Sequence, residues 1–185
     1  MAEFPLLEAV RGKNVAVEWM PFELRPEPHE TLRPEGDYLR RAWEQSVYPI
    51  ARRMGVPIQL PAVSPQPHTR LAFEGYQFAK EHGKGNEYNS RVLRAFFVEG
   101  RDIGQIDVLT QLAGEVGLDA EAFAEALRSR RYREAHRRAL RHAYDEASVT
   151  GVPLFLIGEK RLTGLQDRET LEAVIDEQLV ARRRG

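Results

Sequence analysis

The chain has 185 residues, 42% of them hydrophobic, which is enough apolar mass for one substantial core and argues against disorder. Its 27 basic and 28 acidic side chains nearly cancel, so no global field draws it to nucleic acid or to a membrane surface, and neither is expected as a partner. The chain contains no cysteine, which excludes within these residues a structural disulfide, a thiolate metal site and a cysteine nucleophile.

Phe4 to Val10 has the length of a short helix, and Val15 to Phe22 is rich in β-favouring residues and ends near Pro21, which predicts a strand running into a loop. The N-terminus carries Glu3 and Glu8 and has no long apolar run; it reads as neither signal peptide nor membrane span, and the expected location is cytoplasmic. Pro26, Pro28 and Pro34 stand among charged residues, a composition that suits a surface loop.

From Asp37 to Ser148 the spacing is helical, with glycines where helices would end, at Gly55, Gly83, Gly100 and Gly117; five or six helices are expected. Ile106, Leu109, Ala113 and Val116 repeat at three and four, which predicts one buried face. Asp119 stands where an N-cap would open a helix carrying Phe123 and Leu127. Tyr132 to Ser148 reads as a long basic helix.

The period then shifts. Leu154 to Ile157 is a short apolar run between Pro153 and Gly158, which fits a buried strand, and Arg161 to Thr163 follows a turn as its antiparallel partner. Asp167 is placed to cap a last helix with Leu171, Val174, Ile175 and Leu179 on its apolar face.

Three stretches together resemble the DsbA-like family of thioredoxin folds, and its FrnE-type branch in particular: Trp19-Met20-Pro21-Phe22-Glu23-Leu24; the helical stretch from Leu93 through Phe96, Phe97, Gly100 and Asp102 to Leu118 and Asp119; and Gly151-Val152-Pro153-Leu154-Phe155-Leu156-Ile157 with Gly164 and Gln166. The resemblance implies an α/β fold, a thioredoxin-like sheet with a large all-helical insertion. It implies one domain over 1–185, with a thioredoxin core of 1–30 and 149–185 and the insertion over 37–148. It also implies a cis bond before Pro153, facing an active site. Family members open with a strand leading into Cys-x-x-Cys at a helix N-terminus, where the dipole lowers the first thiol's pKa; that strand and both cysteines have no counterpart here, and Leu154 replaces the threonine after the proline.

The sister branch, 2-hydroxychromene-2-carboxylate isomerases and kappa-class glutathione transferases, holds glutathione with a segment similar to Gly164 to Arg168. By that resemblance the ligand-binding residues are Val152, Pro153, Gln166 and Asp167, with glutathione or an extended peptide as ligand; the plainer role of Asp167 is as a helix cap. No catalytic residue is assigned. The five histidines, His29, His68, His82, His136 and His142, show no metal-ligand spacing. The arginines from Arg128 to Arg141 spread around a helix at 100° per residue and read as a solvated, salt-bridged surface.

Two functions follow. One is a DsbA-family thiol-disulfide oxidoreductase, inactive as this chain, whose catalytic residues lie upstream through truncation or a misplaced start; the other is a thiol-independent binding module. Sequence upstream of the start separates them, by a continuing frame with Cys-x-x-Cys or by a stop. In the thioredoxin topology the missing strand lies between Val15 to Phe22 and Leu154 to Ile157, and its loss would part them by about 10 Å. The expected remedy is that these two strands pair directly, or that a second copy donates a strand, giving a homodimer.

Overall fold

The computed structural model describes residues 1–184, apart from the side chains of Glu146 and Arg184. It divides into two compact units, one made of Met1–Val17 with Ala147–Gly185 and the other of Glu18–Glu146.

The first unit contains helix α1 (Glu3–Val10), strands β1 (Leu154–Ile157) and β2 (Lys160–Thr163), and helix α9 (Arg168–Arg184). The strands form a two-residue hairpin in which Leu154 faces Thr163 and Ile157 faces Lys160. Alternation along β1 sends Phe155 and Ile157 to one face, where with Leu162 they meet Leu171 and Ile175 of α9 and Ala9 of α1. Leu156 points the other way and is exposed. Gly158 opens the turn at φ 57°, a conformation glycine adopts without strain, and the next amide, of Glu159, donates to the Gln178 side chain of α9 at 3.1 Å. Asp167 caps α9, accepting from the Thr170 amide at 2.7 Å.

The second unit is helical. Helix α2 (Asp37–Ala42) passes through a π-helical turn into α3 (Tyr48–Arg53), and α4 (Arg70–Glu81), α5 (Gly85–Phe97), α6 (Ile106–Glu115), α7 (Ala120–Arg128) and α8 (Arg133–Arg141) follow. The glycines at 55, 83, 100 and 117 all take positive φ just after helices, between 64° and 84°, as C-terminal caps require. Asp119 accepts from the amides of Glu121 and Ala122 at 3.0 Å each. The core gathers Phe78, Tyr88, Leu109, Leu112, Phe123 and Leu127 around α4. At Gly75 a methyl group would stand 2.3 Å from the Tyr88 hydroxyl and 2.7 Å from the Phe123 ring, so the absent side chain is what lets α5 and α7 close on α4.

The strand expected over Val15 to Phe22 does not form: this stretch has no ladder, and among the described residues β1 pairs with β2 alone. The reason lies in where its polar groups go. Strand conformation is held by a neighbour's backbone, whereas here the Val15 amide turns back to the Lys13 carbonyl and helix side chains hold Trp19 and the residue just after the segment. The Tyr76 hydroxyl accepts from the Trp19 amide at 3.0 Å, and the Tyr144 hydroxyl donates to the Glu23 carbonyl at 2.8 Å. Direct pairing of this segment with Leu154 to Ile157 is therefore also corrected. The basic helix expected from Tyr132 to Ser148 is α-helical only to Arg141 and finishes as a π turn, His142–Glu146, and Ser148 takes φ 46°.

Candidate functional site

The Gly164 amide donates to the Pro153 carbonyl at 2.9 Å, which carries the hairpin's ladder one residue beyond β1. In an antiparallel pair the bonded positions alternate, so Pro153, Phe155 and Ile157 bond to β2 while the backbone groups of Leu154 and Leu156 face the opposite edge. Val152, exposed and joined to Pro153 by a cis bond, continues that edge, and its amide and carbonyl have no partner among the described residues.

The same Pro153–Gly164 bond brings the edge close to the start of α9. The Gln166 amide nitrogen donates to the carbonyls of Thr163 at 3.0 Å and Gly164 at 3.3 Å, leaving its carbonyl oxygen free to accept. Asp167 serves as a cap: the Thr170 amide and hydroxyl hold its carboxyl below the usual carboxylate range. Behind it, the amides of Arg168 and Glu169 have no acceptor among the described residues, the ordinary condition of a helix's first turn. Val152, Pro153, Gln166 and Asp167 all lie in the first unit, and they supply an open strand edge, one free amide oxygen and two N–H groups without acceptors among the described residues at the positive end of a helix. Such a set suits a ligand with a peptide-like backbone and a terminal carboxylate.

The second unit holds groups that the sequence reading had not singled out. Glu23 and His136, both buried, meet at 2.6 Å, and the His136 ring stacks on Phe73 with centroids 5.5 Å apart. Glu74, fully buried, receives both Nε and a terminal nitrogen of Arg130 at 2.9 and 2.6 Å, with Arg130 at φ 55°. The first pair is closed off from solvent and fastens the extended segment to α8, and the second, whose arginine is one-third exposed, ties α4 to the turn before α8. An open groove of about 440 Å³ runs beside Glu27, Gln66, His68 and Arg70. Among the described residues no three His, Asp or Glu side chains converge as metal ligands, and no helix is long and apolar enough to cross a membrane.

Comparison with known proteins agrees with this architecture. The chain is 52% identical over 173 residues to the uncharacterized protein YwbO of Bacillus subtilis strain 168, covering 92% of this chain and 86% of the relative. Among solved structures it resembles a probable DsbA oxidoreductase from Streptomyces coelicolor, with TM-score 0.78 and 20% identity over 97% of this chain and 83% of that one. It also resembles the cytosolic disulfide reductase DsbM from Pseudomonas aeruginosa with GSH, with TM-score 0.72 and 23% identity over 95% and 91% of the two chains. At these identities the structures show the shared fold alone. With the match of residues 2–176 to the DSBA-like thioredoxin domain, the helical block, the hairpin after Pro153 and the capped last helix are those of a family: the chain belongs to the DSBA-like thioredoxin domain family.

Proposed function

We propose that the polypeptide of this sequence performs no dithiol exchange and acts as a ligand-holding member of its family, taking an extended peptide or a glutathione-like molecule along the β1 edge. Exchange requires a thiolate as nucleophile, and these residues contain none. The observation that carries the reading is the Gly164-to-Pro153 hydrogen bond, which ties the residue after β2 to Pro153 and leaves Val152 and Leu154 with outward backbone groups. A bound backbone pairs with Val152, and the ligand's γ-glutamyl or C-terminal carboxylate lies at Gln166 and the first turn of α9. The GSH in the DsbM structure supports the ligand class by analogy. The same reading has the protein working in the cytoplasm, without nucleic acid or membrane.

Isotope-labelled protein titrated with millimolar glutathione, and separately with an unstructured peptide, tests it. Amide resonances of Val152, Leu154, Arg168 and Glu169 should move together, and Gln166→Ala should weaken the response. No movement with either ligand, or turnover above background in an insulin-reduction assay of the purified chain, would overturn the proposal.

The open β1 edge also supports a homodimer in which a second copy donates a strand there, because an unpaired edge is a template for another strand. Sedimentation velocity at micromolar concentration distinguishes it: a dimer that glutathione does not dissociate argues against a shared edge.

A further inference from the structure

The arginine-rich stretch is divided by the fold. Arg130 is engaged by Glu74 and Arg131 by Glu81, both before α8 begins. Arg128 ends α7, and on α8 itself stand Arg133, Arg137, Arg138 and Arg141, all exposed; at 100° per residue they fall within a sector of roughly 140° on a strip about 12 Å long.

Other helices of this chain place opposite charges along their surfaces: Glu8 with Arg11, Asp37 with Arg40, Arg168 with Glu172. On α8 only Arg137 has such a partner, Glu134 at 2.9 Å. Arg133, Arg138 and Arg141 have no ion pair among the described residues, and Asp145 in the following turn forms none. Arg133 with Arg137, and Arg137 with Arg141, are like charges four apart, a spacing that destabilises a helix. The helix dipole does not account for them, because the helix continues as the π turn His142–Glu146 and its terminal carbonyls lie beyond Arg141. Among the described residues Glu134 alone offsets this repulsion by an ion pair, and a bound polyanion would relieve the rest.

We propose that this face of α8 docks an acidic segment of a partner protein. Guanidinium groups bind carboxylates in two-pronged fashion, and carboxylates four apart on a partner helix repeat about every 6 Å, the interval of Arg133, Arg137 and Arg141. A nucleic acid is the poorer match. Four charges on a short strip fall below the 6–10 phosphate contacts of a typical DNA binder, and the net charge of −1 supplies no wider attraction.

The test is fluorescence anisotropy of a labelled peptide repeating Glu-Ala-Ala-Ala, with the full chain, at low and near-physiological salt. The expected result is binding that weakens with salt and falls at least about tenfold in the triple variant R133Q/R138Q/R141Q. A control triple variant, R25Q/R52Q/R53Q, should bind as the parent does. Because the triple variant on α8 removes like-charge repulsion, its thermal midpoint should equal or exceed the parent's, so lost binding cannot be blamed on unfolding. Absence of binding, equal binding by both triple variants, or tighter binding of a single-stranded oligonucleotide at the same salt would each overturn the proposal.

Discussion

Glu23 and His136, 113 positions apart in the chain, meet at 2.6 Å with both side chains buried, and through them the extended segment after Trp19 is fastened to α8. The segment has no strand partner, yet it is held at close intervals: Trp19 by the Tyr76 hydroxyl, Phe22 by the Tyr144 ring with centroids 5.0 Å apart, and Glu23 by both His136 and Tyr144. Removing one member of such a pair leaves the other buried without its hydrogen-bond partner, at a cost of about 1–3 kcal/mol. Glu23→Ala and His136→Ala should each lower stability by that order in urea unfolding. The double change Glu23→Met with His136→Leu should lose less than either, since an apolar pair leaves no buried polar group without a partner. A single-variant loss under about 1 kcal/mol would show that the pair is not closed off from water.

Gly75 and Tyr88 form a second coupled pair. Gly75→Ala should cost about 1–3 kcal/mol, because its new methyl meets the Tyr88 hydroxyl and Phe123 ring inside a filled core. That hydroxyl is itself buried without a hydrogen bond, and burial pushes its ionisation far up. Tyr88→Phe should therefore be neutral or stabilising by about 1 kcal/mol, and in its background the penalty of Gly75→Ala should shrink. Additive effects in this double-mutant cycle would mean that the hydroxyl is not what the methyl strikes.

Asp119 should behave as a plain cap. Asp119→Ala removes the acceptor for two amides of α7 and should cost about 1 kcal/mol by thermal or urea unfolding, with Asp119→Asn close to the parent.

Tyr132 sets an alkaline limit on stability. Its hydroxyl donates to Glu81 at 2.6 Å, and burial, followed by that hydrogen bond to a carboxylate, raises its pKa to about 12 against about 10 in an unfolded chain. A folded pKa above the unfolded one means that the unfolded chain loses its proton first. The stabilisation is whole below pH 10 and is lost as pH rises from about 10 to about 12, with a slope approaching 1.4 kcal/mol per pH unit for this group. Tyr132→Phe should flatten the stability profile by one proton over that window. An unchanged slope would remove Tyr132 from this role.

The amino-acid sequence by itself determined the local elements whose causes are local. Asp119 and Asp167 carry their capping oxygens in the right position, Gly55, Gly83, Gly100 and Gly117 permit the left-handed turn that ends a helix, and Leu154 to Ile157 with Gly158 specifies a hairpin through its own apolar run and turn. The family was legible for the same reason, since its motifs are contiguous. Only the tertiary structure decided what depends on partners far away in the chain. Val15 to Phe22 has the composition of a strand, but a strand exists only where another backbone meets it; here the Tyr76 hydroxyl holds the Trp19 amide and the Tyr144 hydroxyl the Glu23 carbonyl just beyond, and neither tyrosine is near in sequence. Glu23 gave no sign of its histidine. The arginines from Arg128 to Arg141 read as one dispersed run until Glu74 and Glu81 engaged Arg130 and Arg131, because charge pairing across helices is set by packing, and packing is the property that one residue's neighbours in sequence do not contain.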